Sequence, residues 1–317
     1  MSISAVVPVW NGRELLARLL DSLDAQTLRA AEVLAIDNGS TDGAPELART
    51  RGARVIAMGR NAGFAAAVNR GIREARGDLI AVLNSDVELA PDYFERLAGA
   101  DAPFATGKIL SPAGMLDATF DLTARGGVTW RAGHGMPDAP PFDTARDITS
   151  PPWTAVLFRA GVFARAGLLE EAFESYLEDA DFGLRCAALG IRGRYVPDAR
   201  AVHMGSASLG KWHPAIARRI ARNQLFLAAR HPAAGRAWPM VAAQLLWGVV
   251  ALRHGAGLAW TRGKWEGLRR FSALRAGAPV SDASVVDEVL RSNECFIRAN
   301  SPDPYWKLYF LLMREAK

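Results

Sequence analysis

Cysteine is nearly absent. Cys186 and Cys295 are the only two in 317 residues, and they offer neither metal-ligand spacing nor a disulfide framework, which fits a reducing compartment. No basic segment followed by an apolar secretory core opens the chain. Residues 3–9 read instead as a first strand, so export is not expected. A continuous apolar run of spanning length is also lacking. The stretch 238–260 approaches it, but Arg253, His254 and two glycines interrupt it, and a spanning helix needs about 20 unbroken apolar residues. That leaves a helix lying in a membrane plane or re-entrant, or else a buried core helix. Acidic residues almost vanish from 211–270, where eleven basic residues stand against Glu266 alone. No repeat or low-complexity segment is present.

What remains is globular: 50% of residues are apolar and 22% charged, with length for one large domain plus an appendage, or for two domains. The net charge of +5 hides an asymmetry. Residues 1–205 hold 21 Lys+Arg against 26 Asp+Glu, and residues 206–317 hold 17 against 7. Six of the nine tryptophans also follow residue 205. Basic charge mixed with Trp suggests an anionic membrane surface, or an Arg-rich helical face that merely stays soluble. Nucleic acid is the weakest of the three readings and is not expected as a partner.

The first hundred residues alternate strand and helix signals. Strands are expected at 3–9, 32–36, 54–58 and 79–83, with helices at 14–23, 45–51 and 63–74 between them. That order argues for a parallel sheet with right-handed crossovers, whose ligands sit beyond the carboxyl ends of the strands. Residues 99–150, rich in Gly, Pro and Asp, read as loops and short strands. Further on, 155–158 reads as a strand, 162–166 and 179–189 as helices, and 194–197 and 201–203 as extended. The chain is helical in pattern from 214, with loops near 255–257 and 276–282.

Several groups of residues could carry chemistry. Asn84-Ser85-Asp86 ends the buried strand 79–83 with a carboxylate and an amide, where a hard divalent cation clamping a diphosphate would find oxygen ligands. The same triplet is ordinary turn chemistry. Asp37, at another strand end, can accept hydrogen bonds from a uracil or thymine imide or from a ribose, or can simply cap its turn. The run Arg60-Asn61-Ala62-Gly63 through Asn69 to Gly71 puts small residues at a helix start. They would let backbone amides approach an anion, or allow close helix–sheet packing. Glu178-Asp179-Ala180-Asp181 opens a helix, where acids favour the dipole and where one carboxylate could act as a general base. Asp181 and Arg185 at i,i+4 would pair to hold the helix start. His203, in the stretch His203-Met204-Gly205-Ser206, is a lone histidine, more often structural, but imidazole can complete an octahedral Mn²⁺ site.

In this order and spacing, the strand-end IDNGSTDG, the Asn61–Gly71 segment, Asn84-Ser85-Asp86, the acidic helix start and the His203–Ser206 stretch resemble family 2 glycosyltransferases of the GT-A fold. The nearest branch is the rhamnosyltransferase-like enzymes of bacterial surface-polysaccharide synthesis. The resemblance covers about residues 3–210. It implies an α/β, Rossmann-like, mostly parallel central sheet flanked by helices: a nucleotide-sugar-binding and catalytic domain over 1–210, with a helical, basic, Trp-rich region over 211–317. It implies that Asp37 reads the base beside Pro8 and Asn11, that Arg60, Asn61, Gly63 and Asn69 line the nucleotide pocket, and that Asn84 and Ser85 help position ribose or water. Asp86 and His203 would hold Mn²⁺ or Mg²⁺. Asp179 would be the base, supported by Glu178, Asp181 and Arg185.

The activity implied is inverting transfer from an NDP-sugar, of dTDP-rhamnose or UDP-hexose type, to a lipid-linked or surface-polysaccharide acceptor. Its place would be the cytoplasm, peripheral at the inner face of the plasma membrane. Alternatives are a silent nucleotide-sugar-binding scaffold or a nucleotidyltransferase, the latter disfavoured because no Gly-rich, basic triphosphate loop follows the first strand. Asn84 replaces the usual first acid of the metal triplet. Trp153-Thr154-Ala155 and Leu169-Glu170-Glu171 depart from the branch on the acceptor side. The Gln-x-x-Arg-Trp signature of processive synthases is missing, which argues for single-sugar addition.

Overall fold

Apolar runs with little alternation form strands buried on both faces, and helices cover those faces. The computed structural model, which describes residues 1–205, 212–232, 237–279 and 282–313, opens with β1 (Ile3–Val9), α1 (Arg13–Asp24), β2 (Glu32–Asp37), α2 (Ala44–Thr50), β3 (Arg54–Ala57), α3 (Phe64–Glu74) and β4 (Leu79–Leu83). Every residue of β4 is buried. In α1 the leucines at 16, 19, 20 and 23 form the buried stripe, each contributing about 2 kcal/mol by burial.

Then follow β5 (Val87–Leu89), α4 (Tyr93–Gly99), β6 (Phe104–Leu110), β7 (Leu116–Ala118), β8 (Asp121–Thr123), β9 (Thr129–Arg131), β10 (Arg146–Ile148), β11 (Ala155–Arg159), α5 (Gly161–Ala166), α6 (Glu178–Ala188) and β12 (Gly193–His203). The chain ends in α7 (Pro214–Arg230), α8 (Ala237–Arg253), α9 (Gly257–Ala276), α10 (Ala283–Asn300) and α11 (Pro304–Leu312).

Two compact units result. The first is Met1–Phe120 with Gly133–Glu174 and Ile191–Ser206; the second is Asp121–Ala132 with Ser175–Gly190 and Ala207–Lys317. They interleave along the chain instead of meeting at one boundary near residue 210, because β8, β9 and α6 pack with the terminal helices. Contacts of α10 with β8 and α6, and of α6 with α7, account for this.

The first unit is built on one sheet of order β10-β12-β6-β11-β4-β1-β2-β3, with β5 added to β12 and β7 to β6. β4, β1, β2 and β3 run parallel. β11 is antiparallel to both β4 and β6. β1 and β2 pair from Ser4↔Glu32 to Val9↔Asp37, so Val9, Asp37 and Leu83 all leave the sheet at one carboxyl edge. The extended pieces expected at 194–197 and 201–203 are one strand, β12, with a register shift between Val196 and Arg200 against β6. Gly71 fixes the approach of α3 to the sheet, since a Cβ there would lie 2.2 Å from Val6 Cγ1.

Among the described residues the second unit is helical apart from the β8–β9 hairpin. No helix among the described residues is long and apolar enough to cross a membrane.

Candidate active site

Loops that clasp one another build the carboxyl edge of the first unit. Asn11, in a left-handed conformation, donates its backbone N–H to Ser40 Oγ (2.9 Å), and its Oδ1 accepts from Thr41 N (2.9 Å). Pro8, on β1, is half-buried. Asp37 Oδ1 accepts from Ser40 N at 2.9 Å, the turn-capping bond its sequence context foretells. Its other oxygen has no hydrogen-bond partner among the described residues.

Asn38, which sequence reasoning passed over, is the clip between loops. Its Oδ1 accepts from Ala62 N (2.8 Å), and its Nδ2 donates to Asn61 Oδ1 and Gly63 O (both 3.2 Å). Arg60 and Asn61 are exposed at this edge. Gly63 has φ +91°, and a Cβ on it would lie 2.7 Å from Glu174 O, so glycine is required there by backbone packing.

Asn69 faces inward. Its side chain is buried, Nδ2 donating to Leu169 O (2.9 Å) and Glu171 Oε1 (3.0 Å) while Oδ1 accepts from Leu169 N (2.9 Å). With both its donors engaged, the amide anchors the 169–171 segment.

The turn Asn84-Ser85-Asp86 lies between β4 and β5. Asn84 and Ser85 are half-buried, and Asp86 is buried. Antiparallel pairing of β5 with the end of β12 sets His203 opposite Val87, which brings His203 Nε2 to 3.1 Å from Asp86 Oδ1. The other ring nitrogen, Nδ1, is 2.8 Å from Asp117 Oδ2, on β7. Burial works to lower the His203 pKa, and the bonds to Asp117 and Asp86 overcome it and push it up to about 9. Carboxylate oxygen and imidazole nitrogen together suit Mn²⁺, with Asp117 orienting the ring as an outer-shell carboxylate does. Among the described residues, no group of three or more His, Cys, Asp or Glu is arranged to hold a metal ion. A divalent cation on Asp86 and His203 would therefore draw its other ligands from a diphosphate and water. The motif continues past Gly205 to Ser206, which lies outside the described residues.

In the second unit, α6 starts from a strained turn. Tyr176 (φ 72°) and Leu177 (φ 69°) are both left-handed, a conformation costing roughly 1–3 kcal/mol per residue. Buried Asn223 of α7 holds them, its Nδ2 donating to Ser175 O (2.9 Å) and Tyr176 O (2.7 Å). The turn delivers a cluster of acids. Asp179 is half-buried, with Oδ1 accepting from Ala180 N at 2.7 Å. Asp121, from β8, is buried and hydrogen-bonded to Asp179, and its Oδ1 is 3.6 Å from Arg131 Nε.

Burial raises the Asp121 pKa to about 7; Arg131 opposes this and the charge of Asp179 adds to it. Burial likewise raises Asp179, against Arg131 and the bonds from Ala180 and Asp121. Asp121 and Asp179 are thus hydrogen-bonded carboxyls that burial holds above the usual carboxylate range. Glu178, buried beside them, is pushed up to about 8 by burial and then by Asp179.

Asp181, two residues further on, has opposite surroundings. It is fully buried and bonded to Arg185 Nε (3.0 Å), Arg230 Nε (2.7 Å) and His231 Nε2 (2.9 Å). Burial would raise its pKa, but Arg185, His231 and Arg230 outweigh it and hold the carboxyl well below the usual range.

Residues 4–102 match the family model "Glycosyl transferase family 2". The N-acetylglucosaminyl-diphospho-decaprenol L-rhamnosyltransferase of Mycobacterium tuberculosis (strain ATCC 25618 / H37Rv) is 31% identical over 248 residues, covering 68% of this chain and 80% of that protein. The chain belongs to glycosyl transferase family 2. Within that family it is rhamnosyltransferase-like, and it is a glycosyltransferase.

The O-antigen biosynthesis protein RfbC of Myxococcus xanthus is 32% identical over 227 residues, 65% of this glycosyltransferase and 17% of that protein. Among solved structures, GalNAc-T7 with UDP, GalNAc and Mn²⁺ superposes with a TM-score of 0.67 at 14% identity, over 96% of this chain and 59% of that one. The mannosyltransferase PcManGT from Pyrobaculum calidifontis, in complex with GDP-Man and Mn²⁺, gives 0.51 at 16% identity, over 98% and 84%. The shared fold is GT-A, an α/β sheet flanked by helices, here followed by a helical C-terminal extension.

Proposed function

We propose that this glycosyltransferase moves a sugar, rhamnose from dTDP-rhamnose or a hexose from a UDP-hexose, onto a hydroxyl of a lipid-linked or cell-surface polysaccharide acceptor, with inversion at the anomeric carbon. The observation that carries the reading is the meeting of Asp86 and His203 at 3.1 Å on the edge where the parallel strands end, in a chain that resembles a rhamnosyltransferase over most of that enzyme's length.

In this reading Asp37 takes the base or ribose with its second carboxylate oxygen. Pro8, Asn11, Arg60, Asn61 and Gly63 line the nucleotide pocket, and Asn84 and Ser85 position ribose or water. Asp86 and His203 hold Mn²⁺ or Mg²⁺, which when bound neutralises charge on the departing diphosphate. Asp179 accepts the proton of the acceptor hydroxyl. The freed oxygen lone pair forms the new bond to the anomeric carbon, and the bond to the nucleoside diphosphate breaks with its electron pair leaving on the diphosphate. Attack opposite the leaving group inverts configuration.

A peripheral place at the inner face of the plasma membrane suits a lipid-linked acceptor and the basic, Trp-rich tail. Two of the relatives are named for lipid-linked substrates, a diphospho-decaprenol and an undecaprenyl phosphate. A panel of NDP-sugars with Mn²⁺ tests the transfer. Asp179→Asn should lower turnover about 10²–10⁴-fold, the usual worth of a general base. A wild type inert towards every donor, yet binding UDP or dTDP tightly, sinks the reading.

A further inference from the structure

Helix α8 is built inside out. Its buried positions are Pro239, Ala242, Ala243, Gln244 and Ala251, none of them a large apolar side chain, with Trp247 half-buried. Gln244 Nε2 donates inward to Gly126 O (2.9 Å), and Tyr305 of α11 donates to Ala243 O (3.0 Å). Its outward positions are Trp238, Val241, Leu245, Val249 and Leu252, at three- and four-residue spacing and 50% to 72% exposed. No charged or polar side chain interrupts that stripe, which runs about 21 Å at the α-helical rise. On an ordinary surface helix the large apolar residues face the core, and an unbroken exposed apolar face marks an interaction surface. Trp238 Nε1 also donates to Leu312 O at 3.2 Å. That joins the stripe to α11, whose Leu308, Leu311 and Leu312 are exposed as well.

The charge nearby selects the occupant. The stripe ends at exposed Arg253. On α9, which packs on α8 with Trp260 against Gly248, exposed Trp265 stands between exposed Arg262 and Arg269. The one acid of α9, Glu266, is paired with Arg218 at 2.7 Å. A second copy of this face would set arginine against arginine. An anionic lipid surface meets both demands, since apolar side chains enter the headgroup layer, Trp settles at the interface and arginines meet lipid phosphates.

We propose that the outward stripe of α8 is seated in the headgroup layer of an anionic membrane, with the helix axis in the membrane plane. This rests on the peripheral placement proposed above and adds the surface that makes it.

The test is flotation of the full chain with phosphatidylglycerol–phosphatidylethanolamine vesicles and with phosphatidylcholine vesicles, beside sedimentation without lipid and turnover of donor in solution. The expected result is that wild type floats with the anionic vesicles. Val241→Gln/Leu245→Gln/Val249→Gln should lose roughly a hundredfold or more in partitioning at unchanged net charge, unfold at the wild-type temperature and retain turnover in solution. Arg262→Gln/Arg269→Gln should weaken anionic binding by about fivefold per arginine and blunt its salt dependence. A triple variant that floats as well as wild type overturns the α8 seat and leaves the peripheral placement standing. A wild type that floats with neither vesicle overturns both, while measured donor turnover keeps the transferase reading separate. Self-association without lipid, abolished by the triple variant in a chain that does not float, overturns it in favour of a second copy.

Discussion

In the sheet-built unit Asp86 and Asp117 face an imidazole from its two sides. In the helical unit Asp121, Asp179 and Glu178 face one another, offset by Arg131 and, at Glu178, by Arg219 as well. The first arrangement concentrates negative charge around one imidazole, where a divalent cation would take the place of the Nε2 proton. The second crowds carboxyls until they retain protons near neutral pH, which suits the moving of a proton. A single helix start sharpens the contrast, for Asp179 is raised by burial while Asp181, two residues on, is lowered by Arg185, His231 and Arg230. Position in the sequence does not assign a role to an acid; its neighbours do.

The largest effect that could break this comparison on the structural side is at Asp181. Asp181→Asn keeps the shape but removes the buried carboxylate that Arg185 and Arg230 share, which costs about 3–5 kcal/mol. Because its folded pKa is depressed, the stability Asp181 adds is complete above its unfolded value of about 4 and is lost as pH falls towards the folded value. Thermal unfolding should therefore show a large drop in Tm for the variant at pH 7, narrowing as the buffer is made strongly acidic. A variant as stable as wild type at pH 7 would mean that the ion cluster does not hold α6.

A smaller effect is expected at Asp117. Asp117→Asn leaves His203 Nδ1 with a neutral partner, and outer-shell changes of this kind cost about 10–100-fold in metal affinity. Calorimetry of UDP or dTDP binding with Mn²⁺ should show that loss, while binding with EDTA stays as in wild type. Equal losses with and without metal would assign Asp117 to the fold and not to the ring of His203.

The parallel half of the first unit was legible because its signals are local. β1 and β4 span the stretches their apolar runs foretell, and the other early elements differ by a residue or two at their ends. The segment 99–150 does hold the loops and short strands expected of it, but the bounds of β7, β8, β9 and β10 were not legible, since three residues each are too few to show a pattern. Asp117 and Asp121 sit in those strands, so the neighbours of His203 and Asp179 stayed hidden while the two residues themselves stood out. The partners of Asn69 were hidden for a related reason, because a motif gives the order of side chains but not that Leu169 and Glu171 bond its amide. For α8 the apolar composition was plain, and only the side on which its alanines lie decides between a core helix and an interfacial one.

The finest test of the comparison is Asp121→Asn, because it separates function from fold. A carboxyl whose folded pKa is raised costs stability as pH climbs above its unfolded value, and for Asp121 the cost is complete above about 7. The amide removes that cost, so the variant should unfold at the same or a slightly higher temperature than wild type at pH 8. It can still donate to Asp179, so that carboxyl stays in place. What it cannot do is lose a proton. If Asp121 and Asp179 share their titration, the wild-type profile of kcat/KM bends near pH 7 as the second proton of the pair departs and leaves Asp179 a stronger base. In Asp121→Asn that bend should disappear, with less than about a tenfold change in rate at pH 7. A bend kept unchanged would move the titration to Glu178 and leave Asp121 as packing for α6.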